Sequence, residues 1–207
     1  MASEPVRQGL LVDFGGVLTT DVFASFQAFC EEEGLGADTV RDRFVKDPHA
    51  RELLADLETG KLTEEEFEPR FAAVLEVSPE RLVDRLFAHM HPDEAMLSAV
   101  RAAKRGGVRT GLISNSWGKG RYDRSAFPEL FDGWVISGEE GIRKPDPTMY
   151  SLGAERIGLE PAACVFVDDL PFNLKPAREI GMATVLHRRA AETVPELERL
   201  LGVELTD

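Results

Sequence analysis

The feature that most constrains this chain is a short apolar run that stops at two acids, Cys164-Val165-Phe166-Val167 followed by Asp168-Asp169. An apolar run this short, bounded by turn-forming or charged residues, reads as a strand buried on both faces. The pattern recurs along the chain. Residues 9–12 run into Asp13, Gly15 and Gly16, and residues 108–113 end at Ser114-Asn115-Ser116. Residues 134–137 end at Gly138, and residues 183–186 follow Gly181. Helical patterns lie between these runs. Residues 93–105 carry Met96, Leu97, Val100 and Ala103 at helical spacing before Gly106-Gly107. Residues 148–157 end at Gly158, and residues 172–180 end at Gly181 with Pro176 inside them. Strands alternating with helices across short loops predict an α/β fold, a Rossmann-like parallel sheet with flanking helices. Ligands of such sheets bind beyond the carboxyl ends of the strands, where the polar residues above all fall.

Residues 21–90 behave differently, with helical periodicity and no convincing strand. Val22, Phe23, Phe26 and Phe29 form one apolar face, and Leu53, Leu54 and Leu57 another. Thr63 with Glu66 three residues later is a capping-box pattern. Ser78-Pro79-Glu80-Arg81 predicts a further helix start with Pro at its first position. The expected organisation is a core of residues 1–20 and 91–207, carrying a small all-helical insertion, residues 21–90, that docks over the sheet edge.

The net charge of −13, with no concentrated basic patch, argues against a nucleic-acid partner. An anionic small molecule remains compatible, because a bound cation and one lysine can reverse the field locally. No segment approaches a membrane span or a signal core, and the two cysteines, Cys30 and Cys164, read as small core residues. The expectation is a soluble, cytoplasmic protein with no membrane partner. Oligomeric state is not readable from the sequence.

Each candidate site residue has a plain reading beside a functional one. Asp13 reads as a helix cap or as a carboxylate nucleophile, with the N–H groups around Gly15 and Gly16 cradling an anion. Ser114 and Asn115 read as caps or as phosphate contacts. Lys144, in Arg143-Lys144-Pro145-Asp146-Pro147, reads as a surface lysine or as the cation that neutralises a transferring phosphoryl group. Asp168 and Asp169 repel each other at a strand end, and capping explains one acid but not two. Hard oxygen donors of this kind suit Mg²⁺.

Taken together, Leu10-Leu11-Val12-Asp13-Phe14-Gly15-Gly16-Val17-Leu18-Thr19, Ile113-Ser114-Asn115, Lys144-Pro145-Asp146 and Val165-Phe166-Val167-Asp168-Asp169 resemble the motifs of the haloacid dehalogenase (HAD) superfamily, in their order. The helical insertion resembles the cap of its helical-cap subfamily. The resemblance implies a Mg²⁺-dependent hydrolase, a phosphatase acting on a small phosphorylated metabolite such as a sugar phosphate. Asp13 would attack and form an aspartyl-phosphate. Asp13, the Gly15 carbonyl, Asp169 and, through water, Asp168 would hold the metal. Ser114, Asn115 and Lys144 would hold the phosphoryl group, and Asn173 would support the shell or simply the helix start.

One position departs from the family pattern. Most phosphatases of the superfamily carry a second Asp two residues after the nucleophile, where this chain has Gly15. Some sugar-phosphate phosphatases and epoxide-hydrolase-associated phosphatase domains tolerate changes there. Asp21, His89, His91 and Asp123 are substitutes by residue type, although a surface or capping role suits each better. The dehalogenase branch also lacks the acid, but it uses an arginine near the nucleophile, and none lies between Asp13 and Arg41. A catalytically weak binder of a phosphorylated ligand or a partner protein is the third reading. Phe23, Phe26, Phe44 and Trp117 are of a type to line a pocket, yet such faces are more often core.

Overall fold

The computed structural model describes residues 6–118 and 122–206, so the outermost residues of the expected core, 1–5 and 207, lie outside it. Strands β1 (Gly9–Val12), β2 (Arg109–Ser114), β3 (Gly133–Ile136), β4 (Cys164–Asp168) and β5 (Ala183–Leu186) correspond to the apolar runs of the sequence. They form one five-stranded sheet of order β3-β2-β1-β4-β5, parallel at every pairing. Every residue of β1 and β4 is buried, which is why these strands read as unbroken apolar runs rather than as alternating ones.

Between β1 and β2 the chain makes α1 (Val22–Glu32), α2 (Thr39–Lys46), α3 (Pro48–Glu58), α4 (Glu64–Leu75) and α5 (Leu82–Leu86), then α6 (Glu94–Arg105). After β2 come α7 (Phe127–Leu130), α8 (Ser137–Glu140), α9 (Pro147–Arg156), α10 (Pro171–Glu179) and α11 (Ala190–Leu201). Successive strand residues point to opposite faces of the sheet. Leu10 and Val12 join Leu112, Met96 of α6, Phe127 of α7 and Leu197 of α11 in one cluster. Leu11 joins Ile113, Tyr150 of α9, Phe166 and Leu174 of α10 in the cluster on the other face. Both cysteines are buried and unbridged. Among the described residues no helix is long and apolar enough to cross a membrane.

Helices α1 to α5 bury a cluster of their own that includes Phe26, Phe29, Leu53, Leu57, Phe67, Phe71 and Leu86. Their starts follow from local chemistry. Asp21 Oδ1 accepts from the Phe23 N–H at 2.7 Å. Thr63 and Glu66 make the expected reciprocal capping box of α4. The helix expected from Ser78-Pro79-Glu80-Arg81 instead begins at Leu82. Ser78 Oγ accepts from the Glu80 N–H at 3.3 Å, and Arg85 Nη1 donates to the Ser78 and Glu80 carbonyls at 2.8 and 2.9 Å. That turn, with Arg81 at φ 46°, outcompetes the preference of Pro for a first helical position.

Among the described residues the helical insertion joins the rest of the protein at three places. Its two connections lie side by side, with the Thr20 N–H donating to the His91 carbonyl at 2.8 Å and the Asp93 N–H to Leu18 at 2.9 Å. The end of α3 meets the start of α8 at edge strand β3, where Ser137 Oγ donates to the Glu58 carbonyl. A Cβ on Gly60 would come within 2.6 Å of the Gly138 carbonyl, so the two backbones touch where a side chain has no room. Third, Trp117 leaves the β2 loop and packs its ring 5.6 Å from Phe26 and 5.0 Å from Phe87, inside the insertion's aromatic cluster.

Candidate active site

Parallel register brings the polar strand ends to one edge. Val12 pairs with Leu112 and with Val167, and Ser114 pairs with Ile136. Asp13, Ser114, Ser137 and Asp168 therefore lie together at the carboxyl side. The Asp13 N–H donates to the Val167 carbonyl at 2.9 Å, which extends the ladder up to the carboxylate itself. The chain then turns through Phe14, Gly15 and Gly16. The Phe14 N–H donates to Asp13 Oδ1 at 2.7 Å, and the Gly16 N–H to Thr19 Oγ1 at 3.0 Å. Gly16 has φ 71°, and a Cβ there would stand 2.5 Å from Asp169 Oδ2. Both the backbone conformation and the space demand glycine.

Carboxylate oxygens of Asp13, Asp168 and Asp169 lie within 4.8 Å of one another. Lys144, only 1% exposed, reaches between them: its Nζ is 2.8 Å from Asp13 Oδ1 and 2.7 Å from Asp168 Oδ2. Fully ionised, the cluster holds three carboxylates against one ammonium. Burial pushes the Asp13 carboxyl up to about 6, with Lys144 pulling the other way and Asp168 adding to the rise. Burial pushes Asp169 up to about 7, helped by the charges of Asp13 and Asp168. Burial alone would lower the Lys144 ammonium, but the flanking Asp13 and Asp168 carboxylates overcome it and hold the proton firmly.

Asn173 closes the cluster from α10. Its Nδ2 donates to both Asp168 oxygens, at 3.0 and 3.1 Å, and this fixes which way the amide points. Its Oδ1 is then buried without a donor among the described residues. An orphaned acceptor beside a net-negative set of hard oxygens fits a hydrated divalent cation such as Mg²⁺, which would supply both the missing charge and the missing donor.

A second group of side chains sets the lysine and the strand ends. The Lys144 N–H donates to Asn115 Oδ1 at 2.8 Å, and Asn115 Nδ2 donates to the Lys144 carbonyl at 3.1 Å. The Asn115 amide is thereby committed to the lysine rather than left open for a ligand. Ser114 Oγ accepts from the Tyr122 hydroxyl at 2.9 Å. Glu58, from the end of α3, lies 2.9 Å from Arg143 Nη1 and 3.4 Å from Asn115 Nδ2. Burial pushes its carboxyl up to about 7, against the pull of Arg143 and Lys144.

The structure thus gathers Asp13, Gly15, Gly16, Ser114, Asn115, Lys144, Asp168 and Asp169 at one edge. It does not bring in the substitutes for a second acid. Asp21 caps α1, Asp123 binds the Ser125 N–H at 3.0 Å, His89 pairs with Glu32 at the surface, and the exposed His91 binds Thr20 through its backbone N–H. Phe26 is buried in the core of the helical insertion, and the partly buried Phe23, Phe44 and Trp117 pack tilted or edge-on around it. Sequence reasoning missed Glu58 and Tyr122. Glu58 carried one signal, an acid in the last position of a helix, where the macrodipole disfavours negative charge.

Residues 8–181 match the family described as "Hydrolase: haloacid dehalogenase-like hydrolase". The Bifunctional epoxide hydrolase 2 of Sus scrofa is 33% identical over 135 residues, covering 62% of this chain and 24% of that protein, so the match spans about a quarter of its length. Phosphatase MT3486 of Mycobacterium tuberculosis (strain CDC 1551 / Oshkosh) is 28% identical over 163 residues, 75% of this chain and 69% of that one. The HAD family enzyme bt-2542 of Bacteroides thetaiotaomicron, solved with magnesium and inorganic phosphate, is similar in fold at a TM-score of 0.63. It is 21% identical, with 89% of this chain and 95% of that one covered.

Proposed function

Because the chain belongs to the haloacid dehalogenase-like hydrolases, we propose that it is a Mg²⁺-dependent phosphatase acting on a small phosphorylated metabolite, with a sugar phosphate as the first class to test. The observation that carries this reading is the buried Lys144 bridging Asp13 and Asp168, with Asp169 alongside. A phosphatase among the relatives, and a structural neighbour holding magnesium and phosphate, support it.

Asp13, the Gly15 carbonyl, Asp169 and, through water, Asp168 would hold Mg²⁺, which screens charge on the phosphoryl oxygens when bound. Asp13 attacks phosphorus in line and forms an acyl phosphate, which water then cleaves. Lys144 keeps its proton throughout and neutralises the transferring group. Ser114 and the Gly15 N–H hold phosphoryl oxygens, since the Phe14 and Gly16 N–H groups are bound by Asp13 and Thr19, and Asn115 acts by fixing Lys144. The helical insertion, residues 21–90, serves as a cap on the core of residues 1–20 and 91–207, excluding bulk water and contacting the rest of the substrate. A dehalogenase site would need a cradle for a leaving halide, and a net-negative carboxylate cluster opposes one.

The test is phosphate release from an aryl phosphate and a sugar-phosphate panel, with Mg²⁺ and with EDTA, beside Asp13→Asn. Release that needs the metal and vanishes in the variant is expected. No release from any ester overturns the reading, and a haloacid panel then becomes the next assay.

A further inference from the structure

Breaking the phosphate ester of an alcohol leaves a strongly basic alkoxide unless a proton arrives as the bond breaks. The turn Phe14-Gly15-Gly16 has no side chain that can give one. On the phosphatase reading Asp13 is the nucleophile and Asp169 would hold the cation, while Lys144 is held between Asp13 and Asp168 at 2.8 and 2.7 Å. The Tyr122 hydroxyl already donates to Ser114 Oγ at 2.9 Å. Among the described residues, Glu58 is the buried carboxyl that none of these duties uses.

Its placement is well determined. Glu58 is 6% exposed at the end of α3, and its carbonyl is bound by Ser137 Oγ of α8. Arg143 Nη1, from the loop before α9, lies 2.9 Å from Glu58 Oε2, and Asn115 Nδ2, from the end of β2, lies 3.4 Å from the same oxygen. Both contacts fall on Oε2, so Oε1 has no bond among the described residues. Asn115 links the carboxyl to the lysine: the same Nδ2 that reaches Glu58 Oε2 also donates to the Lys144 carbonyl at 3.1 Å.

We infer that Glu58 is the general acid–base of this reaction, supplied by the helical insertion; the assignment rests on the phosphatase reading. In the first half, Asp13 oxygen bonds to phosphorus as the ester P–O bond breaks. The bonding pair goes to the departing oxygen, which takes the Glu58 proton and leaves as an alcohol. In the second half, Glu58 carboxylate takes a proton from water as the water oxygen bonds to phosphorus. The Asp13 P–O bond breaks, and phosphate, Asp13 carboxylate and protonated Glu58 result. A carboxyl raised to about 7 can serve in both directions near neutrality.

The experiment compares wild type, Glu58→Gln and Arg143→Gln with Mg²⁺ on an alkyl phosphate and on para-nitrophenyl phosphate, whose leaving group needs no proton. Glu58→Gln should lower kcat/KM for the alkyl ester by about 10²–10⁴-fold and remove its pH limb near neutrality. It should lower kcat/KM for the aryl ester less than about tenfold and show a burst of nitrophenol as the acyl phosphate accumulates. Arg143→Gln removes a cation that favours the carboxylate, so it should move the limb to higher pH. If Glu58→Gln melts well below wild type, that shift decides the matter. Equal losses on both esters, or a limb unmoved by Arg143→Gln, overturn the assignment and leave Glu58 as a structural partner of Arg143. A wild type inert on both esters overturns the phosphatase reading itself, and the assignment with it.

Discussion

Asn115 and Lys144 clasp each other reciprocally: the Lys144 N–H donates to Asn115 Oδ1 at 2.8 Å, and Asn115 Nδ2 returns a bond to the Lys144 carbonyl at 3.1 Å. The backbone that delivers the site's ammonium is therefore anchored to the end of β2. Asn115→Ala strands both groups. It should destabilise the protein by about 1–3 kcal/mol in thermal denaturation. It should also lower kcat/KM about 10–100-fold, as loss of a supporting partner does. Unchanged melting would show the clasp to be dispensable.

Lys144→Met keeps the bulk and removes the charge. Asp13 and Asp168 then remain buried with no cation between them. In EDTA the variant should lose about 3–5 kcal/mol of stability, the usual result of breaking one side of a buried pair. Mg²⁺ should restore a part of it, read by denaturant titration with and without the metal. Equal stability of variant and wild type in EDTA would mean that the carboxylates do not depend on the ammonium.

Gly16→Ala tests the closest approach in the site. The residue has φ 71°, and the added methyl would stand 2.5 Å from Asp169 Oδ2. The left-handed backbone alone should cost about 1–2 kcal/mol. The displaced Asp169 should weaken Mg²⁺ binding in calorimetric titration. Unaltered affinity would remove Asp169 from the metal set.

His187 gives a pH dependence away from the site. It is buried, its Nδ1 lies 2.9 Å from Thr193 Oγ1, and burial lowers it below its ordinary 6.5 despite the pull of Asp93. The unfolded chain therefore binds this proton more readily than the folded one. The stability His187 contributes is complete above 6.5 and is lost as the pH falls through that value. Melting curves between neutral and mildly acidic pH should fall less steeply for His187→Gln. Parallel slopes would exclude His187 as a source of acid sensitivity.

The sheet was legible because its strands are buried on both faces, which forces unbroken apolar runs ending where the backbone reaches the site. Asp13, Ser114 and Asp168 were legible for the same reason, as polar residues at the ends of such runs. Glu58 was not. Its contact with Asn115 spans 57 positions and depends on how α3 lands on α8, which no local pattern encodes. Tyr122 was hidden because a tyrosine in a polar loop announces no partner. The start of α5 was misread because the Ser78 turn and the reach of Arg85 outweigh a proline signal that is only a preference.

Trp117 bears on whether the helical insertion is interchangeable. The indole belongs to the loop that leaves β2, yet it lies among Phe26, Phe44, Phe67 and Phe87. An insertion transplanted onto another sheet would arrive with a ring-sized gap in the side of its aromatic cluster. A foreign insertion received here would have to accommodate an indole it was never shaped around. The two parts of this chain are thus a matched set, and any recombination that seeks a new substrate preference must carry position 117 along with the helices.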